Sequence, residues 1–198
     1  MADNERLILG DLAEITPGPS GSLLDRVGDE PDGAPVVNPS DITRRNQVDT
    51  SNLRRLPREE AGRLARFILQ QGDIVLVRQG SLGRLALIGR ELDGGLYNSS
   101  CVRLRCRDSR VLPEYLCQYL SSPAMQEELR RRALPGTVQS LNAKILGSLP
   151  VVIPPLNRQR DLVSAVSDID QLAHVHRATA DRLDLLKTTL LDDLLDKE

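Results

Sequence analysis

A chain of 198 residues is long enough for one sizeable core and an extension, and its 26 lysines and arginines against 28 aspartates and glutamates leave a formal charge of -2. That balance excludes a protein that coats nucleic acid through bulk positive charge. No basic head followed by about 7 to 15 apolar residues opens the chain, and no stretch reaches the roughly 18 apolar residues of a membrane span, so a soluble, cytoplasmic protein without membrane contact is expected.

Leu7–Ile15 reads as a short strand or turn followed by a helical turn, and Pro17, Gly18, Pro19 and Gly21 stop any regular element. A loop rich in Asp, Gly and Pro runs from Gly28 to Pro35, ahead of an extended segment at Ala34–Asn38 whose flanking prolines disfavour helix. Arg58–Leu69 predicts a short amphipathic helix, with Ala61, Leu64, Ala65 and Ile68 on one face at three- and four-residue steps. Beyond Gly72, Asp73–Arg78 and Leu85–Ile88 predict two strands joined by a glycine-bearing turn. Cys101–Cys106 alternates apolar and basic residues, which predicts a strand with one buried face and with Arg103 and Arg105 together on the face in water.

Pro113 opens a helix with Leu116 and Leu120 four apart, and a second helix over Pro123–Ala133 is closed by Pro135 and Gly136. The polar loop Gly136–Asn142 then leads to an apolar strand at Leu149–Ile153, stopped by Pro154 and Pro155. From Asn157 onward there is neither proline nor glycine. Apolar residues recur there at Leu162, Val166, Ile169, Ala173, Leu183, Leu186, Leu190 and Leu194, the three-and-four spacing of a coiled-coil seam on a long helix. His176 interrupts the seam and reads as a polar residue that helps set register, while His174 lies on a different face, so the two cannot readily share a metal. At about 1.5 Å per residue the helix spans on the order of 60 Å, more than a compact domain of this size covers, so it is expected to pair with a helix of a second copy or a partner. The expected organisation is an α+β domain with a mixed sheet over residues 1–155 and a dimerisation helix over residues 156–198.

Motifs for catalysis are missing from the sequence. It has no GxGxxG or GxxxxGK[ST] loop, no Gly-x-Ser-x-Gly elbow, and no acidic set spaced to hold magnesium. The tetrad Asn38–Asp41 lacks the second proline and the aromatic residue that clamp a flipped adenine in an amino-methyltransferase. Cys101, Cys106 and Cys117 form no CxxC pair, and the histidines lie far downstream. Buried, inert thiols in a reducing compartment are therefore expected, with no metal, no cofactor and no catalysis by the chain itself.

In order and spacing, the segments Leu9–Ser22, Ala34–Ile42, Gln71–Gly89, Pro113–Pro123, Gly136–Val163 and Leu185–Leu195 resemble the specificity subunit of type I restriction-modification enzymes. The resemblance covers nearly the whole chain from Leu9, although no single stretch is specific on its own. Members of that family usually alternate two recognition domains with two helices. One of each here implies a half-length subunit whose copies pair as a homodimer through antiparallel helices and read a bipartite, palindromic site on double-stranded DNA. The resemblance also implies docking to a methyltransferase subunit that uses S-adenosylmethionine, and to a restriction subunit in the full complex, with the chemistry in those partners.

Candidate contacts follow from residue type. The turn from Arg78 to Arg84 presents Arg78, Gln79, Ser81 and Arg84, whose forks and amide suit guanine and adenine edges, although a merely solvated hairpin turn accounts for the same residues. Thr43, Arg44 and Arg45 make a second cationic loop, suited to phosphate or simply to water. Tyr97 and Asn98 offer an aromatic plane and an amide, against the alternative of a tyrosine at the core edge. Thr137, Gln139, Ser140 and Lys144 belong to the polar loop and its exit, where a capping role for Ser140 or Asn142 competes with DNA contact. Arg130, Arg131 and Arg132 end a helix, where cations stabilise its negative pole without any ligand. A rival reading makes the protein a coiled-coil adaptor of another complex that binds no DNA, because the residues before Asn157 carry 20 basic against 19 acidic side chains.

Overall fold

Short β-branched and leucine-rich runs, most of them with glycine or proline close by, form short strands rather than long ones in the computed structural model, which describes residues 4–19 and 21–195. In chain order the elements are β1 (Glu5–Ile8), α1 (Leu9–Leu12), β2 (Ala13–Pro17), β3 (Ala34–Val37), β4 (Arg55–Leu56), α2 (Arg58–Gly62), β5 (Ile74–Val77), β6 (Leu85–Leu87), β7 (Leu96–Tyr97), β8 (Cys101–Cys106), α3 (Pro113–Ser121), α4 (Pro123–Arg132), α5 (Ala143–Gly147), β9 (Pro150–Ile153) and α6 (Leu156–Leu195), with short 3-10 turns between some of them. The fold is α+β, ending in a 40-residue helix.

A four-stranded antiparallel sheet in the order β2-β8-β5-β6 forms the centre, a three-stranded sheet β4-β3-β7 lies alongside it in the contact network, and β1 pairs with β9. In the smaller sheet β3 runs antiparallel to β4 and parallel to β7. Strand alternation sorts its side chains into two cores. Val36 and Leu96 join Ala34, Leu56, Ala61 and Leu64 on one side, whereas Val37 and Tyr97 join Val75, Val77, Ala86 and Cys101 on the other. β5 pairs with β6 as the expected hairpin, with Ile74 opposite Leu87 and Leu76 opposite Leu85.

Two expectations are corrected here. The helix expected over Arg58–Leu69 ends as α2 at Gly62 and continues as a 3-10 turn over Ala65–Phe67, leaving Ala65 exposed. β8 does not have a face in water: Arg103 is 3% exposed, and the Arg105 side chain 27%. Both corrections have one cause, because the broken helix lays its carbonyls across that face of β8. Arg103 donates to Arg66 O at 3.1 Å and Ile68 O at 3.0 Å, and Arg105 donates to Ile68 O at 3.0 Å. Arg105 also grips buried Asp73 with two bonds of 2.7 and 2.8 Å. Buried carbonyls need donors, and two arginines on a central strand supply them.

The contacts divide the chain into two compact units, Met1–Gln159 and Arg160–Glu198. Within the first, Gln159 is fully buried: its Oε1 accepts from Leu112 N at 2.9 Å and its Nε2 donates to Arg110 O and Pro154 O. In the second, apolar side chains of α6 are exposed in the single chain, from 36% at Val166 to 67% at Leu185. Leu162, Ile169, Leu183, Leu186 and Leu190 are among them, His176 is exposed, and Ala173 is half-buried. The side chain of Leu194 lies outside the described residues. Among the described residues no helix is long and apolar enough to cross a membrane.

Candidate nucleic-acid interface

Four polar segments, widely separated in sequence, are tied to one another by hydrogen bonds. The turn 78–84 needs two glycines with positive φ, Gly80 at 83° and Gly83 at 87°, a backbone that side-chain-bearing residues rarely adopt. It closes on the strand ends through Val77 N to Arg84 O at 2.7 Å and Gly83 N to Val77 O at 2.9 Å. Gln79 forms an isolated antiparallel bridge with Ser140, and Leu141 N donates to Arg78 O at 2.8 Å, so the polar loop after α4 lies beside this turn. Arg78 N donates to Ser100 O at 2.9 Å and Arg78 Nε to Ser99 O at 3.1 Å, which adds the segment before β8. The fourth segment joins through Asn98 Nδ2, which donates to Asn38 Oδ1 at 3.2 Å, and through Leu87 N, which donates to Asn46 O at 3.3 Å.

Each anchor has a local cause. Asn38 and Asp41 form a reciprocal capping box around a 3-10 turn, with Asn38 N donating to Asp41 Oδ2 at 2.8 Å. Thr43 then pins a tight turn: Thr43 N and Oγ1 both donate to Gln47 O, and Asn46 takes the left-handed backbone at φ 59°. Asn142 caps α5, its Oδ1 accepting from Ile145 N at 2.8 Å, so the capping role falls to Asn142 while Ser140 makes the bridge to Gln79.

The structure treats the candidate residues unequally. Arg44, Arg45, Gln79, Ser81, Thr137, Gln139 and Lys144 are exposed, and Thr43, Arg78, Arg84 and Ser140 are half-buried. Tyr97 is a correction: it is fully buried, and its hydroxyl donates to Thr16 O at 3.0 Å. Strand β7 turns it toward the core, where Phe67 packs edge-on at 6.4 Å, so it presents no plane to a ligand. Asn98 is also committed internally, since its Oδ1 accepts from Ser100 N at 2.8 Å while its amide reaches Asn38. Arg130, Arg131 and Arg132 pair with Glu127 and Glu128, as cations ending an exposed helix commonly do.

The cluster is rich in cations and poor in acids. Residues 38–48, 78–84, 97–100 and 133–144 contain Arg44, Arg45, Arg78, Arg84 and Lys144 and one acidic residue, Asp41, whose carboxylate is engaged with Asn38 and Ser40 in its own turn. Elsewhere some exposed arginines sit on carboxylates, Arg26 on Glu60, Arg63 on Glu59, Arg107 on Glu14, and Arg110 on Glu5 and Asp108, while others such as Arg58 and Arg66 turn to a carbonyl or an aromatic ring. Among the described residues Arg44, Arg78, Arg84 and Lys144 have no carboxylate partner within ion-pair distance. Uncompensated cations interleaved with amides and hydroxyls suit an anionic polymer whose bases carry donors and acceptors.

No thiol in the chain is poised for chemistry: burial pushes Cys101 and Cys117 up to about 12 and Cys106 up to about 11. Among the described residues no three histidine, cysteine or acidic side chains converge as a metal site would require.

The family model described as the type I restriction modification DNA specificity domain matches residues 1–184. The Type I restriction enzyme EcoBI specificity subunit of Escherichia coli is 25% identical over 138 residues, which make up 70% of this chain and 29% of that protein. A structure described as showing complex assembly and conformational transition of the type I R-M system superposes with a TM-score of 0.64 at 20% identity, over 90% of this chain and 41% of that one. The HsdS subunit from Thermoanaerobacter tengcongensis superposes with a TM-score of 0.61 at 19% identity, over 88% and 39%. The chain thus spans between about three and four tenths of the length of these relatives.

Proposed function

The chain belongs to the type I restriction modification DNA specificity family, and we propose that its globular unit reads DNA sequence through the loop cluster around Arg78–Arg84 while α6 pairs it with a second copy. A two-part site calls for two reading units, and two copies joined by antiparallel helices supply them with two-fold symmetry. The pair directs methyltransferase subunits, and restriction subunits where present, to a bipartite palindromic site, and contributes address and geometry rather than catalysis. Residues 1–155 act as the recognition domain and 156–198 as the dimerising and docking helix.

The observation that carries this reading is the excess of cations over carboxylates on four mutually bonded loops, five against the single Asp41, in a protein whose overall charge is negative. Exposed Arg44, Arg45 and Lys144 are assigned to phosphate contact in this reading, which sets position and salt dependence. Gln79, Ser81, Thr137, Gln139 and Ser140 bring neutral donors and acceptors for base edges, with Arg78 and Arg84 for guanine.

The test is selection of duplexes from a random pool by the assembled complex, followed by the same selection with Arg78→Ala and Gln79→Ala combined. The combined variant is expected to lose about 1 to 3 kcal/mol of discrimination for each bidentate contact removed while keeping its folded thermal transition. A variant that recovers the same sequences as the parent removes these residues from the reading surface. A parent complex that enriches no sequence at any salt concentration favours the adaptor role instead.

A further inference from the structure

We propose that Gln126, on α4, is a positioning residue for sequence reading: it holds the turn 78–84 in shape without itself touching DNA. This rests on the reading of that turn as a DNA-contacting loop. The turn's own main-chain bonds use Gly83 N and Arg84 O, and Gly83 O is satisfied from outside, by Gln126 Nε2 at 2.9 Å. The same amide nitrogen donates to Leu120 O at 2.8 Å, one of the carbonyls near the end of α3 that lacks a helical successor. A primary amide has two hydrogens on one nitrogen, and here each reaches one carbonyl, one on the helix and one on the turn.

The fit is close enough to constrain sequence on both sides. A Cβ at Gly83 would lie 2.5 Å from Gln126 Oε1, so the residue that must be glycine for its positive φ must also be glycine for the brace. The base of the brace is firm: Leu116 and Leu120 of α3 and Met125 and Leu129 of α4 are buried, and Ser122 caps α4 with its hydroxyl accepting from Met125 N. Gln126 therefore links a packed helix pair to a turn whose exposed residues are Gln79, Gly80 and Ser81. Hydrogen bonds to base edges tolerate only small displacements, whereas phosphate contacts tolerate more, so releasing the brace acts on discrimination before it acts on affinity.

The experiment uses the full chain in its methyltransferase complex and the variant Gln126→Met, which keeps side-chain length and removes both donors. Amide hydrogen exchange over residues 79–84 is expected to quicken, and the preference for the selected duplex over a single mismatch to fall about tenfold. The salt dependence of binding and the melting transition are expected to stay as in the parent. Where the methionine variant does not fold, Gln126→Asn, one methylene shorter, is expected to give the same pattern. Loss of preference without quicker exchange overturns the proposal, and so does quicker exchange without loss of preference. A parent complex with no sequence preference sinks the DNA reading itself, and the exchange data then still decide whether Gln126 braces the turn.

Discussion

Tyr97, Tyr115, Cys101 and Cys117 are buried acids whose protonated forms the fold prefers. Burial pushes both phenols up from 10.0 to about 12 and both thiols up from 9.0 to about 12. A folded value above the unfolded one adds stability that is complete below the unfolded value and lost as pH climbs toward the folded one. Urea midpoints are accordingly expected to hold from pH 7 to about 9 and to fall between about 9 and 12. A midpoint still flat at pH 11 contradicts this. In the native state at pH 8, iodoacetamide is expected to leave Cys101 and Cys117 unmodified, since both are shielded and neutral. The arginines show a second contrast: exposed ones on Glu partners, such as Arg63 and Arg130, contribute little to stability, whereas Arg44, Arg78 and Arg84 of the loop cluster have no carboxylate within ion-pair distance.

At the scale of elements, β8 joins most of the molecule's parts. It lies between β2 and β5, its apolar residues fill the core, and its two arginines fasten the 3-10 turn that follows α2. Asp73 completes the joint by accepting from Arg105 twice and from Gln70 N at 2.8 Å. Hydrogen bonding to Asp73 raises the Arg105 value further, which holds the guanidinium in its charged form. Asp73→Ala leaves a mostly buried guanidinium facing a gap, and about 3 kcal/mol of unfolding free energy is expected to be lost. Denaturant unfolding measures it, and a loss under about 1 kcal/mol means that water screens the pair. Arg103 Nε is a buried nitrogen with no hydrogen-bond partner, a local cost that the four carbonyl and hydroxyl contacts around β8 offset.

Over the whole molecule, α6 exposes in the single chain a row of leucines that water does not favour, and a second copy is the proposed cover. Leu183→Asp combined with Leu190→Asp is expected to shift sedimentation from dimer to monomer and to weaken binding to a two-part site more than about a hundredfold, because the second reading unit is then no longer tethered. A variant that stays dimeric removes the leucine row from the interface. Much of this architecture was legible as local pattern: the β5–β6 hairpin, the extended Ala34–Asn38 segment, the α3 and α4 helices and the unbroken C-terminal helix all follow from periodicity and from where glycine and proline fall. Residue type likewise marked the loops that carry arginine, glutamine and serine with few acids. Tertiary structure alone decided what stands opposite each of these residues. The alternation of β8 predicted a wet face, and a broken helix 35 to 37 residues upstream covers it. Tyr97 faces the core because β7 pairs with β3, and Gln79 meets Ser140 because two segments 61 residues apart close on each other. Periodicity encodes a residue's own backbone, whereas burial depends on a neighbour that no local window contains.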